Sequence, residues 1–354
     1  MQMLAPPDRF DRRNLIRSPG ATAIAAFFVF LLLLIPGCQN SCNQPAPSAP
    51  PPPVASPSTN PTEAPTVTPT ATPTPLPYAM RNFPCLSNTL VGKEFEYAPG
   101  DQQEVHLISA KLGEDSKLIA HANHISRFTL VQHGRSVHID NQHIAPCDIS
   151  DGILVNLPQR MLFYYKDGKL VTSYPVAVGK PDWETPTGSF SVISKHKNPA
   201  WVVPKDIQDE MEEEGREVQT RVEPGPNNPL GNYWIGTSIR GIGIHATNAP
   251  ASIYSYHTHG CVRLDPDNIK DLFRRVSKGE PGMIIYEPAL FAKTEDGRLF
   301  LEVDRDIYED GGATLDDVKH IAASLKLTDL IDWPAASAIV DSHDGLAHDV
   351  TAKR

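Results

Sequence analysis

His245, at the end of the apolar run Gly241-Ile242-Gly243-Ile244-His245, and Cys261, set within Thr258-His259-Gly260-Cys261-Val262-Arg263, are the residues of this chain best placed to do covalent chemistry. A thiol becomes a nucleophile when a base takes its proton, and the oxyanion it raises on a carbonyl needs N–H donors aimed at it. His245 supplies the base. Gly260 lets the backbone turn tightly against a substrate carbonyl, so that N–H groups around Gly260 and Cys261 can hold the oxyanion. The spacing predicts a strand-borne base facing a loop-borne nucleophile, with Cys261 as a reactive thiol of lowered pKa.

The elements that must position this pair read mainly as strands. Arg160 to Tyr165, a turn at Asp167-Gly168 and Lys169 to Tyr174 predict a hairpin, with further strands at 189–194, 233–237, 241–245 and 283–286. After the nucleophile, Asp265 is placed to cap a helix with Pro266 at its first position. Ile269, Leu272, Phe273 and Val276 then share one face of that helix, which would brace the nucleophile's loop. Lys205 to Glu214 is acidic and ends at Gly215; it reads as a solvated helix near the cleft, either a lid or an ordinary surface helix.

Outside this region the chain carries 34 prolines among 354 residues, too many for packed elements alone. Between Pro45 and Pro77, 13 of 33 residues are proline and most others are Thr, Ala or Ser, which predicts an extended spacer reaching on the order of 100 Å. Upstream, a basic segment precedes the apolar run Ala21 to Ile35, which is short for a bilayer span and suits a signal-peptide core. The net charge is −10, and residues 1–37 contribute more arginine than aspartate, so the rest is more acidic still. Nucleic acid is therefore not expected as a partner. His121, His124, His133, His138 and His143 lack the spacing of a ligand set and read as solvent-exposed side chains, so no metal and no cofactor is expected.

The run from Thr258 to Arg263, with His245 before it, resembles the signature of the L,D-transpeptidases, YkuD-type cysteine enzymes of the bacterial cell wall. Thr185-Pro186-Thr187-Gly188-Ser189-Phe190, Asn198-Pro199-Ala200-Trp201 and Gly225-Pro226-Asn227-Asn228-Pro229-Leu230-Gly231 are similar to stretches of its ErfK/YbiS branch. Ala246 departs from the Gly or Ser often found there, which is tolerable if only its main-chain carbonyl orients the imidazole. The resemblance implies a mainly β fold: a YkuD-like β-sandwich or barrel with short helices, preceded by a small α+β module. It also implies attack by Cys261 on the diaminopimelate carbonyl of a tetrapeptide stem, release of D-alanine and transfer of the thioester's acyl group. The acceptor stays open between an amine of another stem, a lipoprotein lysine and water. Alternatives are a carboxypeptidase or amidase on the same stems, or a catalytically inert wall-binding protein. In this reading His259 and Thr258 shape the site or contact substrate, the Ala246 carbonyl holds the His245 tautomer, and Arg263 binds a donor carboxylate or makes a structural ion pair.

Glu96 to Asp101, the helical middle around Leu118 to Ile125 and Ser136 to Asp140 resemble a LysM module, a βααβ glycan-binding fold. Cys85 and Cys147 flank that segment and could close it. Ile35-Pro36-Gly37-Cys38 resembles a lipobox, which would make Cys38 the lipidated first residue of an exported, periplasmic protein anchored in the outer membrane. Arg12-Arg13 weakly resembles a twin-arginine export signal, with Asp11 in place of the usual Ser or Thr. The implied organisation is a signal peptide over 1–37, a tether over 38–77, a LysM-like wall-binding module over 78–150, a catalytic domain over 151–288 and a C-terminal extension over 289–354. Stem peptides and glycan are the implied partners, with a lipoprotein as a possible acceptor.

Overall fold

A computed structural model of the protein describes residues 84–308 and 313–353. The expectations for the signal segment, Cys38 and the spacer lie outside these residues. The described chain is mainly β with six short α-helices. Its centre is a ring of eight strands, in the order Lys169–Gly179, Val262–Leu264, Gly243–His245, Tyr233–Thr237, Gly188–Lys197, Pro281–Ile285, Gly152–Asn156 and Met161–Lys166. The last strand pairs back with the first half of Lys169–Gly179, closing the ring, and Tyr256–Thr258 lies in parallel along the other end of that long strand.

Alternation makes the ring a barrel. Ile244, Val262, Leu264 and Ile235 point inward and are almost fully buried, together with Ile153, Val155, Leu162 and Val176. Each such side chain contributes roughly 1.5–3 kcal/mol on burial. The hairpin at Asp167-Gly168 forms as expected, both residues taking positive φ (51° and 71°), the form a two-residue turn between twisted strands demands. The helix Pro266–Arg275 follows the nucleophile with the Asp265 side chain accepting from Asp267 N, and Ile269 and Leu272 fix it on the barrel. The strand expected over 241–245 is shorter, Gly243–His245, because Gly241 at φ 78° belongs to the turn before it.

In residues 84–150 four short strands precede two helices and three follow them. Glu94–Tyr97 pairs antiparallel with Val137–Asp140, and helices Val105–Leu112 and Ser116–Ala122 lie between them in sequence, with Val105, Ile108, Ile119, Val131, Val137 and Ile139 as their common core. Cys85 and Cys147 are joined in a disulfide. The C-terminal extension is folded as well. Its hairpin Ala289–Lys293 and Leu299–Val303 pairs with Leu86–Ser87 on one edge and His348–Asp349 on the other, and helices Leu315–Ser324 and Trp333–Ser342 cover one face.

Two of the five upstream histidines are not fully exposed, and one is buried. His143 is 1% accessible; its Nδ1 donates to Glu302 (2.8 Å) and its Nε2 to the Gly113 carbonyl (2.7 Å). Glu302 itself comes from the extension. It also accepts from Ile144 N (2.5 Å) and from Gln159 Nε2 (2.9 Å), so one carboxylate joins the N-terminal segment, the barrel and the extension. Sequence spacing could not show this, because the partners lie 159 and 143 residues away. His121, His124 and His133 are exposed, and His138 sits half-buried between Glu94 and Glu96.

Candidate active site

Two parallel strands set the site. In the pairing of Gly243–His245 with Val262–Leu264, Ile244 lies beside Val262 and His245 beside Arg263. Because side chains alternate, the pair that fills the barrel core leaves His245, Arg263 and Cys261 on the opposite face. Cys261, one residue before its strand, comes level with Gly243, whose N–H donates to the sulfur, while Sγ points to the Gly241 carbonyl at 3.5 Å. The face opens into a cleft of about 1170 Å³ lined by His245, His259, Cys261 and Arg263, with Trp201 and Trp234 among the apolar walls.

The base is held in one tautomer. His245 is 4% accessible, and its Nδ1–H donates to the Ala246 carbonyl at 2.6 Å, leaving Nε2 as the acceptor. The Ala246 methyl fits because its neighbour is Gly231: a Cβ there would come within 2.5 Å of it. Trp234, directly opposite in the antiparallel pair, stacks on the imidazole at 5.8 Å between ring centroids and also covers Gly243, where any Cβ would strike the indole at 2.2 Å. Sequence reading missed Trp234; its place two strands from the nucleophile is visible only once the register is known.

The nucleophile's loop is fixed through its carbonyls. Thr258 Oγ1 donates to Cys261 O (2.6 Å), Thr185 Oγ1 to Gly260 O (2.9 Å) and Lys180 N to Thr258 O (3.0 Å). Gly260 sits at φ 95°, where a Cβ would lie 3.2 Å from Ile242 and 3.4 Å from the Glu184 carbonyl, so the tight turn requires glycine. Thr258 is thus a buried loop clasp with its hydroxyl engaged, and it also lines the cleft. His259, on the wall of the cleft, is fixed in the same way. Its Nε2 meets Glu210 at 2.7 Å and its ring meets Trp183 edge-on, while Glu210 also accepts from Lys180 at 2.7 Å. Glu210 belongs to helix Lys205–Glu213, packed on Trp183 and Trp201 through Ile207 and Met211. That helix is tied to the nucleophile's loop and is more than surface decoration. These bonds hold the Glu210 carboxyl below the usual range, the Lys180 bond first.

Electrostatics corrects the expectation of a low-pKa thiol. Burial pushes the Cys261 thiol up, outweighing the Gly243 N–H and the charge of Arg263. Burial, then the Arg263 charge, pushes His245 down to about 3. That shift disfavours the imidazolium by roughly 5 kcal/mol. With the thiol raised and the imidazole lowered, both shifts favour the neutral pair. Arg263 has no carboxylate partner among the described residues: Nη1 donates to Ser252 Oγ at 2.9 Å, and the buried Nε is unpaired. The structural ion pair once open for it is absent there.

Residues 150–284 match the YkuD family, the L,D-transpeptidase catalytic domain. The probable L,D-transpeptidase ErfK/SrfK of Salmonella typhimurium is 32% identical over 224 residues, 62% of this chain and 72% of that protein. Among solved structures, the catalytic domain of the Enterococcus faecium L,D-transpeptidase is 29% identical, covering 39% of this chain and 99% of that one with a TM-score of 0.31. A crystallised mutant of the E. faecium enzyme is 26% identical with a TM-score of 0.30, and this chain spans 50% of its length and 39% of its own.

Proposed function

Because this chain belongs to the L,D-transpeptidase family, we propose that Cys261 and His245 carry out acyl transfer on peptidoglycan stem peptides. The observation that carries the reading is His245 with its Nδ1 bonded to the Ala246 carbonyl and its strand beside that of Cys261. Since neither resting group is charged, the thiol proton moves to His245 Nε2 as sulfur attacks the diaminopimelate carbonyl. The N–H groups of Gly260 and Cys261 hold the oxyanion. Collapse breaks the C–N bond, His245 returns the proton to the departing D-alanine amine, and a thioester remains. The acceptor amine then attacks the thioester, gives its proton to His245 and releases the sulfur as the thiol.

Arg263, with an unpaired guanidinium edge beside the pair, suits a stem carboxylate. An amine of a second stem or of a lipoprotein lysine is the acceptor in this reading. The same reading makes the protein exported and periplasmic, held through lipidated Cys38 to the outer membrane, with the spacer giving reach and residues 84–150 binding glycan. The pairing of Glu94–Tyr97 with Val137–Asp140 around two helices supports the last point. Incubation with purified muropeptides, followed by mass spectrometry, tests it. Cross-linked products and free D-alanine from the wild type, and neither from Cys261→Ala, are expected; no product from the wild type would overturn the proposal.

A further inference from the structure

A second cavity, of about 420 Å³, lies where the three folded parts meet, away from the Cys261 cleft and sharing none of its lining residues. Asp304 and Arg160 line it without pairing; burial, then the charge of Glu302, pushes the Asp304 carboxyl well above its usual range, so that it keeps its proton until a cation pairs with it. Asp304 is 1% accessible, and both its carboxylate oxygens are buried with no hydrogen-bond partner. Arg160 lies between Tyr254 and Tyr256, its guanidinium 4.1 Å and 5.4 Å from their ring centroids. It gives one long bond to the Tyr254 carbonyl (3.3 Å) and has a buried, unpartnered Nε. No ion pair joins the two.

Their neighbours are engaged elsewhere. Asp344 holds His348 at 2.9 Å, and Asp115 caps the helix Ser116–Ala122 through Lys117 N. The site also borders Gly345, φ 73°. A Cβ there would stand 2.6 Å from Asp304 Oδ1 and 3.9 Å from Arg160 Nη2, so both heads pack beside one glycine at the edge of the cavity. A buried carboxylate with no partner is costly, as is a buried guanidinium edge, and a single ligand carrying both opposite charges a few ångströms apart would satisfy the two together. A lone anion would leave Asp304 unmatched; a lone amine would leave Arg160.

We propose that this junction cavity binds the amino-carboxylate group of a small amino acid, the ligand carboxylate on Arg160 and its ammonium on Asp304. Cation stacking on Tyr254 and Tyr256 presents the Arg160 fork to the carboxylate. The proposal does not depend on the catalytic reading. Tyr256 does begin the strand that leads into Thr258 and Cys261, so the ligand would sit against the segment carrying the nucleophile.

Calorimetric titration of the full chain with glycine and with D-alanine tests this. The expected result is saturable binding at a single site with Kd on the order of 1 mM, about −4 kcal/mol, and at least tenfold weaker binding of acetate or ethylammonium alone. Asp304→Asn, which keeps the shape and removes the carboxyl that would pair with the ligand ammonium, and Gly345→Ala, which crowds the Asp304 carboxyl, should each weaken binding at least tenfold while circular dichroism shows a folded chain. Arg263→Gln, in the other cleft, should leave it unchanged. Absence of amino-acid binding, equal affinity for acetate, undiminished binding in both junction variants that fold, or loss on Arg263→Gln would each overturn the proposal.

Discussion

Two histidines of this chain are almost fully buried, His245 in the cleft and His143 at the junction, and they end in opposite charge states. Burial pushes both toward the neutral form. At His143 the charge and hydrogen bond of Glu302 and the Gly113 carbonyl outweigh it and hold the pKa above the usual value. Both of its ring nitrogens face acceptors, which favours the imidazolium. At His245 only one nitrogen faces a backbone acceptor and the nearby charge is the cation Arg263, so the ring stays neutral with one lone pair free. Burial sets the cost of charge in each case; the partner decides whether it is met. The junction uses its charge to hold parts together, and the cleft keeps its capacity for the substrate.

The sharpest way to break this comparison is to remove the free lone pair. His245→Gln should fold, retain Cys261 and lose acyl transfer to stem peptides by about 10²–10⁴-fold in kcat/KM, roughly 3–5 kcal/mol, read by muropeptide turnover. The matching change at the junction is Glu302→Ala, which strands a buried imidazolium. It should cost about 3–5 kcal/mol of stability in urea unfolding while the kcat of the folded fraction stays within a few-fold of the wild type.

The two rings also give opposite slopes of stability against pH. His245 takes up a proton near 6.5 when unfolded but only near 3 when folded, so its contribution is full above 6.5 and lost as pH falls toward 3. His143 is raised, so its contribution is full below 6.5 and lost as pH rises through the folded value. His245→Gln should therefore flatten the acid limb of the stability profile and Glu302→Gln the alkaline limb. Measuring unfolding free energies from pH 4 to 9 checks both. The smallest effect expected is on thiol reactivity: iodoacetamide should label Cys261 no faster at pH 7 than a free cysteine, with the rate rising only at alkaline pH.

Legibility in the sequence followed how local each feature is. The hairpin at Asp167-Gly168, the capped helix after Asp265 and the nucleophile's motif are each written in a few adjacent residues, and they stand where expected. The Ala246 carbonyl, implied as the orienting group by the family resemblance, does accept from His245 Nδ1. What escaped depended on register or distant packing. Trp234 over the imidazole, Glu210 on His259 and Glu302 on His143 all join segments far apart in the chain. The thiol's pKa was misjudged for the same reason: proximity of a histidine was legible, whereas the burial that neutralises both partners was not.

Imidazole nitrogen NMR of the folded protein at pH 6 tests the neutral nucleophile and base most directly, with assignments from His245→Gln and His143→Phe. The account predicts that His245 gives one protonated and one unprotonated ring nitrogen, with the proton on Nδ1, while both nitrogens of His143 are protonated. A doubly protonated His245 at pH 6, accompanied by rapid alkylation of Cys261 at the same pH, would mean that the resting site is a thiolate–imidazolium pair and would contradict it.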